Sequence, residues 1–322
     1  MTERKSLFEK IDITKYPAKR LVAIPLITLL ISVAVLSYTQ LSIDSPVRLG
    51  MDFVGGTMVK IRTDETVDEL SVKFSAFPIK LVAKTDVGNE KMIRFKPMSE
   101  TQKEELEDML DKDYEMGEYE IPKSMDPIFG EQFRIQTVYA LAIAFILMAV
   151  VVFIVFRAVI PPLAVIFAAF SDIVIAIACM DIIGMELSLG TVAALLMLIG
   201  YSVDSNILLT TDLLRKKGEV NEKLRGAMKT GLTMTSTTLS AVFAMFLVSS
   251  FIHLFSAHFA AIPILRDISI VLLFGLIMDL MNTWLFNAGV LRWYIEHKER
   301  KRYVKRGVEK EKVKKRVTAK RF

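Results

Sequence analysis

Six long apolar runs decide what this chain can fold into: Leu21–Thr39, Ile135–Phe156, Ile160–Met180, Glu186–Leu209, Gly231–Ile252 and Ile268–Leu291. Each holds roughly 20 residues, and a helix of that length crosses a hydrocarbon core of about 30 Å. Backbone in lipid needs an internal partner for every N–H and C=O, so the runs read as membrane helices. Barrel strands are about half as long and alternate polar with apolar residues, which these runs do not. The first run is longer than the apolar core of a cleaved signal peptide and follows a polar lead, so a retained anchor is expected.

Charge orients the helices. Residues 1–20 carry six Lys/Arg and three acids, residues 212–229 again six and three, and residues 292–322 fourteen and four. The positive-inside rule predicts that the N-terminus (1–20), the 212–229 loop and the C-terminal tail (292–322) face the cytoplasm of a cell membrane. Basic residues of the tail, such as Lys310, Lys312, Lys314, Lys315 and Arg316, are expected on anionic membrane lipids. No aromatic interleaving points to nucleic acid. The single cysteine, Cys179, rules out an intrachain disulfide, and His253, His258 and His297 lack the spacing of a metal site.

Residues 40–134 then lie outside, with thirteen basic and twenty acidic residues. A strand is predicted over Val54–Arg62 and a helix over Thr66–Ala76, opened by Thr66 with Asp68 and Glu69 in its first turn. Ile79–Lys84 and Lys91–Lys96 flank a turn-rich Asp86-Val87-Gly88-Asn89, a hairpin signal. Ser99 and Gln102 form a capping-box pattern before a helix to about Asp113, and Tyr119–Met125 completes the set. The order β-α-β-β-α-β predicts a small ferredoxin-like α+β domain on an all-α bundle of six transmembrane helices (1 at 21–39; 2–6 over 135–291).

Three carboxylates interrupt the apolar runs: Asp172, Asp204 and Asp279. Each costs a few kcal/mol if ionised near the bilayer centre, so intramembrane acids read as candidate proton or ion sites. Asn206 lies near Asp204, and Asn282 and Thr283 near Asp279. Thr233, Ser236, Thr237 and Ser240 line one face of the fifth run and are expected to supply polar partners. Gly190, Gly200 and Ser202 permit close helix approach in the fourth. Asp52, Gly55 and Gly56, where the first run enters the outer domain, suggest a hinge or tight junction, since glycine tolerates positive φ and close backbone contact.

Several of these segments together carry a family resemblance. Gly50-Met51-Asp52-Phe53-Val54-Gly55-Gly56-Thr57 resembles the G-x-D-F-x-G-G-T signature of the SecF proteins, protein-export membrane subunits related to the RND superfamily. Gly200-Tyr201-Ser202-Val203-Asp204-Ser205-Asn206, Thr235-Ser236-Thr237-Thr238 and Arg266-Asp267 resemble further stretches of the same family. The topology matches along essentially the whole chain, and the pattern is most similar to the archaeal branch. Asp204-Ser205-Asn206 resembles the Asp-x-Asn order of SecD, and Gly231 stands where bacterial members carry an arginine. The resemblance implies a SecD-like membrane partner, the Sec translocation channel, exported preproteins, and work drawn from the proton or ion gradient. An RND-type small-molecule or lipid exporter is the alternative. Paired-aspartate protease, zinc-protease and nucleotide-binding motifs are absent from the sequence, so neither an enzyme nor a cofactor is expected.

Overall fold

The computed structural model describes residues 16–85, 89–115, 117–251, 262–298 and 300. His253 and His258, the tail beyond residue 300 and most of the Asp86–Asn89 turn lie outside these. Among the described residues, five helices are long and apolar enough to cross a membrane: α1 (Ala18–Ile43), α5 (Pro127–Phe156), α6 (Ile160–Ile182), α7 (Leu189–Arg215) and α8 (Val220–Phe251). The last expected span, Ile268–Leu291, is built differently. There α9 (Pro263–Met281) carries Arg266, Asp267 and Asp279 and passes into a π-helical turn, Asn282–Asn287. An α-helix, α10, resumes over residues 288–298. Each of these helices of the membrane protein extends past its apolar run at one end or both: α1 at both, α5 and α8 at the start, and α6 and α7 at the finish. Ser188 caps α7 at Leu189, which leaves Glu186 in the preceding loop.

Between α1 and α5 lies a small sheet domain: α2 (Met51–Val54), β1 (Gly56–Arg62), α3 (Val67–Lys73), β2 (Ile79–Lys84), β3 (Glu90–Phe95), α4 (Glu100–Asp113) and β4 (Tyr119–Met125). Val54, expected in the first strand, instead ends α2. Gly55 donates its N–H to Met51 O and takes φ of +82°, which turns the chain before β1 begins. Strand order is β2-β3-β1-β4, with every neighbouring pair antiparallel. Capping boxes start both longer helices, Thr66 with Glu69 and Ser99 with Gln102.

Alternation puts Val59, Ile61, Ile93 and Phe95 on the covered face, where they meet Leu70, Phe74, Phe77, Leu106 and Leu110. Phe74, Phe77 and Phe95 pack with ring centroids 6.0–6.5 Å apart. Each such side chain contributes about 1.5–3 kcal/mol on full burial, so the domain carries its own core without a disulfide. At its rim, Lys73 Nζ donates to Glu65 Oε1 (3.0 Å) and Tyr114 OH (3.0 Å), and Tyr114 OH donates to Glu65 Oε2 (2.6 Å).

Within the bundle, α6 and α7 are the most enclosed of the long apolar helices, and the α7 residues Ala194, Leu195, Leu198 and Ile199 meet α6 and α9. Two glycines set helix spacing. A Cβ on Gly275 would stand 2.4 Å from Leu198 Cδ2, and one on Gly231 would stand 2.4 Å from the Trp284 ring.

Candidate functional site

Two of the three intramembrane carboxyls are brought together. Asp172 on α6 and Asp279 on α9 are 0% and 1% exposed, and both are bound by neighbouring residues of the same two segments, Ser202 and Ser205 on α7 and Asn282 and Thr283 in the π turn. Ser202 Oγ donates to Asp172 Oδ2 (2.6 Å) and Asn282 Nδ2 to Asp172 Oδ1 (2.6 Å). Ser205 Oγ donates to Asp279 Oδ2 (2.9 Å) and Thr283 Oγ1 to Asp279 Oδ1 (3.1 Å). Four neutral donors from α7 and the π turn thus hold the pair. Neither carboxyl has a lysine or arginine partner among the described residues, and no cluster of three or more His, Cys, Asp or Glu occurs there.

The π turn makes this arrangement possible. At about 100° per residue, two positions five apart on an α-helix point roughly 140° away from each other. An i→i+5 turn nearly stacks them. Asn282 therefore reaches Asp172 while Asn287 Nδ2 reaches Asn206 Oδ1 at 2.7 Å, with both asparagines buried. Nothing in the residue types of Asn282–Asn287 announces a π turn. The small polar residues Ser202, Ser205 and Asn206 on one face of α7 were the available signal.

Asp204, grouped with the other two in the sequence reading, lies elsewhere. It sits two residues, or about 200°, from Ser202 and faces outward from the chain. The expected partners on α8 do not join the carboxyl pair either. Thr233 Oγ1 donates to Lys229 O (2.8 Å), Thr237 Oγ1 to Met234 O (2.7 Å) and Ser240 Oγ to Ser236 O (2.8 Å), each to its own helix. Thr233, Ser236, Thr237 and Ser240 are exposed, as are Gly200 and Asp204. The hydroxyls satisfy themselves within the turn, as Ser and Thr do on helices that present them to a surface.

Asp52, Gly55 and Gly56 form a close junction. Asp52, 6% exposed, accepts the Leu189 N–H at Oδ2 (3.0 Å), at the first turn of α7, where the helix dipole favours a carboxylate. Gly50 N donates to Leu187 O (2.8 Å) and Leu187 N to Arg48 O (2.7 Å), a short parallel bridge between the two segments. A Cβ on Gly55 would meet Pro127 N at 2.8 Å, and one on Gly56 would meet Phe95 O at 2.4 Å. Sequence reasoning missed Glu186, whose Oε1 and Oε2 accept from Lys80 (2.8 Å) on β2 and Arg94 (3.0 Å) on β3. A lone glutamate in a loop gives no hint of partners about a hundred residues away.

The family described as "Protein export membrane protein SecD/SecF, C-terminal" matches residues 102–297, more than half of the chain and all of the carboxyl centre. The "SecD/SecF GG Motif" matches residues 43–67, which hold the junction. The SecF of Methanolacinia petrolearia is 45% identical over 292 residues, covering 88% of this chain and 96% of that protein. The chain belongs to the SecF family. The SecF of Haloferax volcanii is 39% identical over 288 residues, covering 88% of this chain and 95% of that one. A crystal structure of SecDF in a super-membrane-facing form shares the fold, with TM-score 0.55 and 22% identity; it spans 89% of this chain, which corresponds to 39% of that longer chain. In this SecF chain, Gly231 lies against the Trp284 ring, so a larger side chain has no room there unless that ring moves.

Proposed function

We propose that this SecF-family chain is an accessory subunit of the Sec protein-export machinery, working with a SecD-like membrane partner. The pair assists the Sec channel in moving preproteins across the cytoplasmic membrane and draws on the proton or ion gradient. In this reading α9, the π turn and α10 complete a sixth span, and both termini face the cytoplasm. The sheet domain, with ferredoxin-like connectivity in its split β-α-β halves, stands outside. No catalytic step on a substrate is required.

The observation that carries the partner is the outward polar face. Asp204 and Gly200 on α7, and Thr233, Ser236, Thr237 and Ser240 on α8, are exposed within stretches long and apolar enough to span a membrane. A carboxylate at such a depth costs about 2.5–3.5 kcal/mol against lipid. A second bundle packed on this face removes that cost, and Gly200, with no atom within 4 Å of its missing Cβ, leaves room for close approach. The opposing helices of a related subunit are the natural cover. Asp204 then sits at the subunit boundary, where movement of one bundle against the other changes its surroundings.

Asp204→Asn keeps size and hydrogen bonding and removes the titration. The variant is expected to co-purify with its partner in full amount and to lose gradient-dependent stimulation of export. Wild-type stimulation in a fully assembled variant complex would remove Asp204 from coupling. A stable active homodimer in native membranes would favour the exporter reading.

A further inference from the structure

Asp172 and Asp279 form a centre separate from the subunit boundary, enclosed within this one chain. Two adjoining buried carboxyls cannot both be left ionised with only neutral donors around them. The surroundings of the pair differ sharply along the bundle axis. Toward the sheet domain the next turns are Leu198 on α7, Ala176 on α6, and Leu272 and Leu276 on α9, all no more than 3% exposed. Leu198 closes directly on Gly275. Toward the opposite end, where Lys19, Arg20, Arg157 and Arg215 gather, the neighbours are polar. Ser202, Asn206 and Thr210 occupy one face of α7 at four-residue spacing, with Asn206 Nδ2 donating to Ser202 O (2.7 Å) and Asn287 Nδ2 to Asn206 Oδ1.

A second observation points to an occupant of this file. Three oxygens, Asn282 Oδ1, Asn287 Oδ1 and Thr210 Oγ1, are buried without any hydrogen-bond partner, on residues that are no more than 1% exposed. Buried acceptors of this kind are ordinarily met by water, which needs polar neighbours of the sort present here. The other packed elements offer no competing ionisable group at this depth. Between Arg20 and Tyr38, α1 has none; beyond Lys229, α8 has none; between Arg134 and Phe156, α5 has only the exposed Tyr139. On α6 and α7 the remaining acids, Asp181 and Asp212, lie at the helix ends, Tyr201 and Asp204 face outward, and Cys179 sits nearly two turns beyond Asp172 toward the sheet domain. On α9, Arg266 and Asp267 lie near the start of the helix.

We propose that Asp172 and Asp279 hold one exchangeable proton between them, reached by water from the basic end of the bundle along Thr210, Asn287, Asn206 and Ser202, and sealed from the sheet-domain end by Leu198 and its neighbours. In each exchange a hydronium at the basic end gives up a proton to the water file, an O–H bond forms on one carboxylate oxygen as the O–H bond to the proton already held breaks, that proton leaves along the file, and the pair keeps one proton and one negative charge. The proposal rests on the gradient-driven reading but places the proton in a site internal to this subunit. Its test uses no translocation, so the two readings fail separately.

Full-length protein reconstituted with its partner in lipid vesicles is examined by infrared spectroscopy. The wild type is expected to show a protonated-carboxyl C=O band at neutral pH that shifts on transfer to D2O. The band is the same in sodium and choline buffers, is retained in Asp204→Asn and is lost in Asp172→Asn/Asp279→Asn. Thr210→Val keeps the shape of the side chain and removes a hydroxyl that has no partner among the described protein residues, so the fold is expected to be kept while the deuterium shift slows severalfold. A wild type without the band, or a band that sodium abolishes, would overturn the proposal in favour of no site or of a metal-cation site. Loss of the band in Asp204→Asn alone would also overturn it. An unchanged exchange rate in Thr210→Val would overturn the route. Should the double variant fail to fold, isotope labelling of aspartate in the wild type assigns the band instead, and a band that does not move on labelling would refute the assignment.

Discussion

Replacing Gly56 with alanine tests the junction between the membrane helices and the sheet domain. The new Cβ would stand 2.4 Å from Phe95 O, a backbone atom fixed by the β1–β3 ladder, so the strands must part rather than a side chain swing away. Overpacking of this kind costs about 1–3 kcal/mol. The backbone φ of +128° adds about 1–3 kcal/mol of strain for any residue with a Cβ. The sum, about 2–6 kcal/mol, is a large share of the roughly 5–15 kcal/mol that holds a domain folded. Protease nicking of the sheet domain in intact membranes follows the population of opened molecules. A loss of about 3 kcal/mol predicts about a hundredfold faster nicking, with insertion of the helices unchanged. Gly117→Ala is the control, because φ there is +100° but no atom lies within 4 Å of the added carbon. Equal nicking rates in the two variants would show that the close approach to Phe95 contributes nothing, and a wild-type rate in Gly56→Ala would refute the argument altogether.

Two further outcomes follow from the sheet domain. Burial, the Glu65 hydrogen bond and the Glu65 charge push the Tyr114 hydroxyl up to about 12, against an opposing effect of Lys73. Its contribution to stability is therefore present below pH ~10 and lost as pH rises toward 12. Burial alone would raise the Glu65 carboxyl, but hydrogen bonds from Tyr114 and Lys73 outweigh it and hold it below its ordinary value. That contribution is present above the ordinary carboxylate range and fades as pH falls through the lowered value. Tyr114→Phe is expected to cost about 1 kcal/mol near neutrality and to flatten the alkaline limb, read from thermal denaturation across pH; an unaltered alkaline limb counts against the linkage. Glu186→Gln removes the charge that Lys80 and Arg94 share. Because these pairs are partly exposed, the expected loss is no more than about 1 kcal/mol. Spin labels on β2 and the α6–α7 loop should nonetheless report a broader distance distribution, and an unchanged distribution would mean that the backbone bridge alone fixes the domain.

The sheet domain was legible because its signals are local. Thr66–Glu69 and Ser99–Gln102 mark helix starts within four residues, and the observed strands fall within two residues of the expected ones. The error at Val54 came from a turn whose direction depends on two glycines with positive φ. The membrane centre was legible only in its ingredients. Asp172, Asn206 and Asp279 were singled out, but which side of each helix faces inward depends on packing between helices far apart in sequence. A helical wheel of α7 separates Ser202 and Asn206 from Asp204 by about 200°, but a wheel does not say which side faces inward, so the three acids stayed grouped until the packing was known. Thr233, Ser236, Thr237 and Ser240 lie on the exposed side of α8, away from the carboxyl pair, and which neighbour that side meets is again a matter of packing. The π turn bends the register that any 3.6-residue pattern assumes, so Asn287 could not have been placed from sequence.

Chain entry into the sheet domain and chain exit from it lie against each other. Gly55 touches Pro127, and a Cβ on Gly130 of α5 would meet the Phe53 carbonyl at 2.9 Å. The chain from Gly56 to Met125 therefore enters and leaves through one narrow stem, with the Glu186 pairs to Lys80 and Arg94 as a second tie. A head mounted in this way can be lengthened or shortened at its far side without re-registering a membrane helix, provided that the glycines of the stem and these pairs are kept.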